Sequence, residues 1–237
     1  MYFAYLLAAI LPAVVLLLYA YKQDQFPEPP KIVFKTFLFG CATVLAIDLV
    51  IPVLDTYNKE YFSGETYHFF KNFIRAAFVE EFFKACVIIF YCTRKTAFNE
   101  PMDGVIYGIA ASLGFATYEN IDYVLYFEKD PSFGIALVRA FTAIPMHALC
   151  GIIMGFLISQ AIFEKGNNYL NLFLAIFIPV GIHGLYNYSF TSSVVSYQIA
   201  YFLLLVFSIR AYLIFKNLKQ RQKRSIIFNK RYYNITI

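Results

Sequence analysis

Seven apolar runs, at residues 2–20, 33–54, 73–92, 103–127, 133–163, 169–190 and 195–215, occupy most of this 237-residue chain. A helix needs about 20 apolar residues to cross the hydrocarbon of a bilayer, and each run reaches or approaches that length. Only 15% of the residues are charged and 60% are apolar, whereas a soluble domain carries about 25% charge. A chain of this size cannot fold that much apolar surface away from water on its own. The sequence therefore predicts an all-α fold: a polytopic transmembrane helix bundle of about seven spans. Residues 1–215 read as one transmembrane domain and residues 216–237 as a basic cytoplasmic tail.

Lysine and arginine set the orientation. Eight basic residues and no acid follow from Arg210 onward. That tail reads as an attraction to anionic lipid and as a positive-inside signal, not as a nucleic-acid surface. With seven spans, a cytoplasmic C-terminus puts the N-terminus outside. Lys22, Lys31, Lys35, Arg94, Lys95 and Lys165 then fall inside, and Lys59, Lys71, Arg75 and Lys129 outside. The first run lacks a basic n-region and a small-residue cleavage site, so it reads as a span and not as a signal peptide. Phe26-Pro-Glu-Pro-Pro30 is a stiff connector. Residues 55–72 read as a loop or an interfacial helix. The fifth run is too long for one straight crossing, and Pro145 predicts a kink in it. Cys41, Cys86, Cys92 and Cys150 lie in or at the ends of apolar runs without CxxC spacing, as small apolar residues do. Asn234-Ile-Thr matches a glycosylation acceptor, but it follows the basic tail.

Ionisable residues inside spans are costly and mark function by default. The third span contains Glu80-Glu81-x-x-Lys84, which puts Glu80 and Lys84 one helical turn apart on one face. Two adjacent carboxylates near a cation provide an acid and a base if their surroundings differ. The fourth span carries Phe115 and Glu119 four residues apart, followed by Asn120. It also contains Gly104, Gly108 and Gly114, whose spacing predicts close helix packing. The fifth span holds Arg139, Pro145 and His147, with Gly151 and Gly155 beyond. The sixth holds His183 and Asn187, again four apart. Glu80, Glu119 and His183 lie about seven or eight residues from the outer ends of their spans, a common depth of roughly 10–12 Å at about 1.5 Å per residue. His147 joins that level if the start of its span lies in the interface.

These four motifs, each on its own helix and in this order, resemble the PrsW family of intramembrane proteases over residues 75–190. The family is similar in turn to CAAX-type membrane proteases and to the Aph-1 subunit of γ-secretase. The resemblance implies an integral protein of a bacterial cytoplasmic membrane that hydrolyses peptide bonds of single-span, membrane-anchored substrates near the extracytoplasmic side. Site-1 cleavage of an anti-sigma factor is the best-known family role. By the same resemblance the site residues are Glu80, Glu81, Lys84, Glu119, Asn120, His147, His183 and Asn187. Glu80 acts as general base, Glu81 and Lys84 hold it, and His183 and Asn187 face the substrate carbonyl. Glu119, His147 and His183 are the candidate ligands of a metal, Zn2+ being the expected ion. HExxH is absent, and CAAX-type proteases suggest a metal-free glutamate–histidine water site, so both chemistries stay open. Two other readings also stand beside the protease. One is a non-catalytic scaffold like Aph-1. The other is an ion-coupled transporter, although no inverted repeat is visible.

Overall fold

The computed structural model describes residues 2–126, 132–164 and 166–233. Lys129 and Lys165 of the orientation count lie outside them, as do Asn234 and the remainder of the tail beyond Tyr233. Among the described residues every regular element is helical. The helices are α1 (Tyr2–Tyr21), α2 (Pro30–Tyr61), α3 (Gly64–Phe69), α4 (Val79–Phe90), α5 (Pro101–Tyr126), α6 (Phe133–Phe141), α7 (Ala143–Phe163), α8 (Asn168–Ser189) and α9 (Gln198–Tyr233). A π-helical stretch, Phe70–Phe78, joins α3 to α4 without a break in helical backbone. Five rods are long and apolar enough to cross a membrane: α1, α2, α6 with α7, α8 and α9. The π-α4 rod and α5 complete the seven.

α5 is the axis of the bundle. Its residues from Met102 to Thr117 are all buried, whereas Leu45, Leu49 and Val53 of α2 and Leu205 of α9 point outward. Outward apolar side chains are what a lipid-facing surface requires. α5 can be enclosed because glycine lets its neighbours approach to backbone contact. A methyl group at Gly104 or Gly108 would overlap the carbonyl oxygens of Gly155 or Gly151 on α7. Gly40 of α2 meets Ala111 in the same way, and Gly114 meets Phe37. The glycine spacing in the sequence thus serves packing on both faces of α5.

Several boundaries differ from the sequence reading, each for a local reason. α2 continues through residue 55 to Tyr61, and only Phe62 and Ser63 separate it from the next helix. Residues 55–72 are thus mostly helical, tied down where Arg75 donates to both oxygens of Asp55 at 2.9 and 3.1 Å. The break in the fifth run falls at Thr142 (φ −126°, ψ −72°) and not at Pro145. Pro145 sits in the first turn of α7, where its missing N–H would have had no intrahelical partner. α9 runs on through the basic segment to Tyr233.

Candidate active site

The EExxK motif opens α4, directly after the π-helical stretch. Glu80, Glu81 and Lys84 are all buried there, and Glu81 and Lys84 expose no surface. α8 is seated against the π stretch at Gly184, where a methyl would strike the ring of Phe73; this brings His183 over α4. Lys84 Nζ donates to Glu81 Oε1 at 2.8 Å and lies 3.5 Å from Glu80 Oε2. Glu81 Oε1 also receives His183 Nδ1 at 2.9 Å. A carboxylate only accepts, so Nδ1 carries a proton, which in the neutral ring leaves a lone pair on Nε2. That Nε2 faces Glu80 Oε2 at 3.7 Å.

α5 and α7 supply the other half. Lys84 Nζ donates to His147 Nδ1 at 3.2 Å, and His147 Nε2 donates to Glu119 Oε2 at 3.0 Å. The two imidazole rings meet edge to face, 5.0 Å between centroids. Phe115, one turn before Glu119, forms the floor: Lys84 Nζ stands 4.1 Å from its ring centroid and His147 packs on it at 5.5 Å. The aromatic face favours an ammonium held at that distance. The Phe-x-x-x-Glu spacing therefore puts a cation platform and an acid on one helical face.

Arg139 is the residue that sequence reasoning left out of the site. Its guanidinium donates to Glu119 Oε2 at 2.6 Å and to Asn120 Oδ1 at 2.7 Å. Asn120 Nδ2 in turn donates to the Ala9 carbonyl at 2.7 Å, which ties α1 to α5 and α6. The available signal was that Arg139 and Glu119 are uncompensated charges on consecutive spans. Asn120 consequently stands behind the cluster as an anchor. Asn187, one turn beyond His183, is half-buried, and among the described residues its side-chain amide makes no hydrogen bond. Glu80, Glu81, Lys84, Glu119, His147 and His183 form one connected group. Its least covered side chains are Glu119 at 21% exposure and Glu80 at 10%, with Arg139 beside Glu119 at 13%.

One ligand atom from each of Glu80, Glu81, His147 and His183 lies within 4.8 Å of all the others. Glu80 Oε2 and Glu81 Oε2 are buried without a hydrogen-bond partner. Two imidazoles and two carboxylates, each carboxylate with an orphaned oxygen, suit a zinc-like cation. The His183 Nδ1–Glu81 pair is the carboxylate–histidine arrangement that orients a metal-binding imidazole. The set differs from Glu119, His147 and His183, because Arg139 and the His147 N–H both occupy Glu119 Oε2. Lys84 is in direct competition: its ammonium already neutralises the same anionic centre.

A buried glutamate–histidine–lysine centre inside a membrane-spanning bundle defines a class, the polytopic membrane enzymes that act within the bilayer. The family model described as "PrsW family intramembrane metalloprotease" matches residues 28–212. "Protease PrsW" of Bacillus subtilis (strain 168) is 35% identical over 192 residues, covering 80% of this chain and 84% of that protein. "Protease PrsW" of Clostridioides difficile (strain 630) is 32% identical over 206 residues, covering 86% and 84%. "Protease PrsW" of Oceanobacillus iheyensis is 34% identical over 182 residues, covering 76% and 80%. No solved structure matches the chain. The chain belongs to the PrsW family, as an integral membrane protease of bacterial type.

Proposed function

We propose that this protease cleaves single-span, membrane-anchored proteins near the extracytoplasmic side of the bilayer, an anti-sigma factor being the substrate that its resemblance suggests. Its N-terminus lies outside and its C-terminus in the cytoplasm, as the loop charges favour. The observation that carries the chemistry is Glu80 Oε2, buried, unpartnered, and held between Lys84 at 3.5 Å and His183 Nε2 at 3.7 Å.

Amide hydrolysis needs a base for water, a donor for the oxyanion and a proton for the leaving nitrogen. Glu80 has the free lone pairs and the partial access to act as the base, and it then carries the proton that the leaving nitrogen needs. Glu81 has no exposed surface for water to reach, and Lys84 and His183 engage its Oε1; it fixes the orientation of both. His183 presents a lone pair at Nε2, which suits a ligand or proton acceptor and not an oxyanion donor. Asn187, with its amide unengaged, is the nearer candidate for oxyanion donor on that helix. Arg139 holds Glu119, and Glu119 holds His147. Where zinc is bound, His183, Glu80 and Glu81 would hold it, with His147 joining once Lys84 releases its Nδ1, and it would supply an acidified water and a polarised carbonyl.

The test is cleavage of a single-span substrate by purified protein in liposomes. Glu80→Gln should abolish cleavage with the fold intact, and Glu81→Gln should retain a measurable fraction. If Glu81→Gln is dead and Glu80→Gln turns over, the two roles are exchanged. If both cleave normally, the cluster is structural and catalysis resides elsewhere; the scaffold reading replaces the catalytic one if wild type itself cleaves nothing.

A further inference from the structure

A second buried acidic group lies at the other end of α5. Asp103 and Glu119 are separated by 16 residues of one helix, about 24 Å at about 1.5 Å per residue. Around Asp103 gather Asp24 and Glu28 of the α1–α2 connector and Glu100, which precedes α5. Ligand oxygens of Asp24, Glu100 and Asp103 lie within 4.8 Å of one another. Among the described residues no lysine or arginine forms an ion pair with any of the four.

What distinguishes this group from an ordinary acidic cluster is how its oxygens are used. Asp103 Oδ2 accepts the backbone amides of Asn99 and Glu100, each at 2.7 Å, while Asp103 Oδ1 is buried and unpartnered. Asp24 Oδ1 accepts Phe26 N at 2.9 Å and Gln222 Nε2 at 2.6 Å, while Asp24 Oδ2 is buried and unpartnered. Gln222, from α9, also donates to Glu100 Oε1, and Tyr107 Oη donates to Glu28 Oε2. Asp24 is thus oriented by one oxygen and leaves the other open, while Asp103, oriented in the same way, turns its second oxygen toward the Glu28 carboxyl. That is how outer partners present a ligand to a metal. Asp24 is 7% exposed, Glu28 4% and Asp103 fully buried, while Glu100 is half-buried at the rim. The N-terminus of α5 offers about half a positive charge, too little to balance three or four carboxylates. An uncompensated buried charge costs several kcal/mol.

We propose that Asp24, Glu100 and Asp103 form a binding site for a hard divalent cation of the magnesium or calcium kind, with Glu28 beside it. All the donors are oxygens, which suit those ions and not zinc. The bound ion clasps the α1–α2 connector, the start of α5 and, through Gln222, α9. It is a site separate from the glutamate–histidine centre. Its rival occupants are protons: burial, aided by Asp103 and Asp24 and opposed by the Gln222 hydrogen bond, pushes the Glu100 carboxyl up to about 7.

Mn2+ is the probe, because its free-ion paramagnetic resonance signal disappears on binding. The full chain is purified in detergent, stripped with chelator and titrated. Wild type should take up a Mn2+ ion that excess Mg2+ or Ca2+ displaces. An Asp24→Asn, Asp103→Asn double variant should lose it, and Gln222→Ala should weaken it roughly ten- to a hundredfold, as loss of an orienting partner does. His183→Ala, at the other centre, should keep it. If the double variant does not elute as a folded species, Gln222→Ala and Glu100→Gln carry the same comparison. The proposal is overturned if wild type binds no more Mn2+ than the folded variants, or if His183→Ala is the substitution that removes the ion. It is overturned equally if the asparagine variant is more stable than wild type in chelator while Mg2+ and Ca2+ leave wild-type melting unchanged. Protons would then fill the site.

Discussion

The Arg139–Glu119 pair permits a quantitative test of how the site is held. Arg139→Met removes two charge-assisted hydrogen bonds, at 2.6 Å to Glu119 and 2.7 Å to Asn120. Each such bond contributes about 1.5–3 kcal/mol when buried. The side chains are 13% and 21% exposed, so water replaces part of the loss, and the expected cost is about 2–4 kcal/mol. Glu119→Gln leaves Arg139 as the orphan and should cost a similar amount. The double variant leaves no uncompensated charge, so its cost should fall about 1–3 kcal/mol short of the sum. Unfolding in mixed micelles of rising denaturing-detergent fraction, followed by circular dichroism, gives the four free energies. Cleavage should fall with Arg139→Met as well, since Glu119 orients His147 through a 3.0 Å bond. Single-variant costs that add to within about 0.5 kcal/mol would show the two charges to be independent, and the account of Arg139 as the anchor of Glu119 would fail.

Helix packing through glycine predicts opposite signs at two positions. Gly108→Ala must displace the Gly151 carbonyl and should cost about 1–3 kcal/mol, whereas Gly181→Ala on α8 meets nothing within 4 Å and should gain up to about 1 kcal/mol in the same unfolding assay. On α3, before the π stretch, Glu65 accepts Ser193 Oγ at 2.5 Å, Tyr188 Oη and Ser192 Oγ at 2.7 Å and Ser193 N at 2.8 Å, and these hydrogen bonds hold its carboxyl down to about 2. Because the folded value is depressed, the docking of residues 192–193 is complete above the ordinary carboxylate value near 4.5. It should be lost only as pH falls from there toward 2, read as amide exchange of Ser193. The four cysteines are free thiols, so a quadruple serine variant should keep cleaving substrate. Cys150, buried one turn beyond His147, is the position where an unexpected loss would reveal a thiol role.

Local spacing made much of this site legible. Glu80 with Lys84, Phe115 with Glu119, and His183 with Asn187 each lie one turn apart, and a charge in an apolar run announces itself. Charges that are paired across helices were harder to read, because no spacing within one helix encodes a partner 20 residues away on another rod. Arg139 was noticed as a buried cation yet left unmatched to Glu119 for that reason. The acids at the other end were hidden by convention as well as by distance: Asp24, Glu28 and Glu100 occupy loops, where a carboxylate is ordinarily solvated. Gln222 lies in a segment whose basic composition reads as a tail. The break at Thr142 was displaced from Pro145 because proline is tolerated in a first turn. The π stretch left no readable mark, since its sequence is as helix-compatible as its neighbours.

The glycine contacts along α5 decide which parts of the protease can yield. Where two backbones touch with no side chain between them, there are no rotamers to exchange, so α2, α5 and α7 have no low-energy way to slide past one another. α4 and α8 meet that core through side chains, which can repack. Glu119 and His147 therefore ride on the stiff block, whereas Glu80, Glu81, Lys84 and His183 ride on the compliant one. The glutamate–histidine cluster is split across the seam between the two blocks, and its hydrogen-bonded circuit is complete only while that seam is closed.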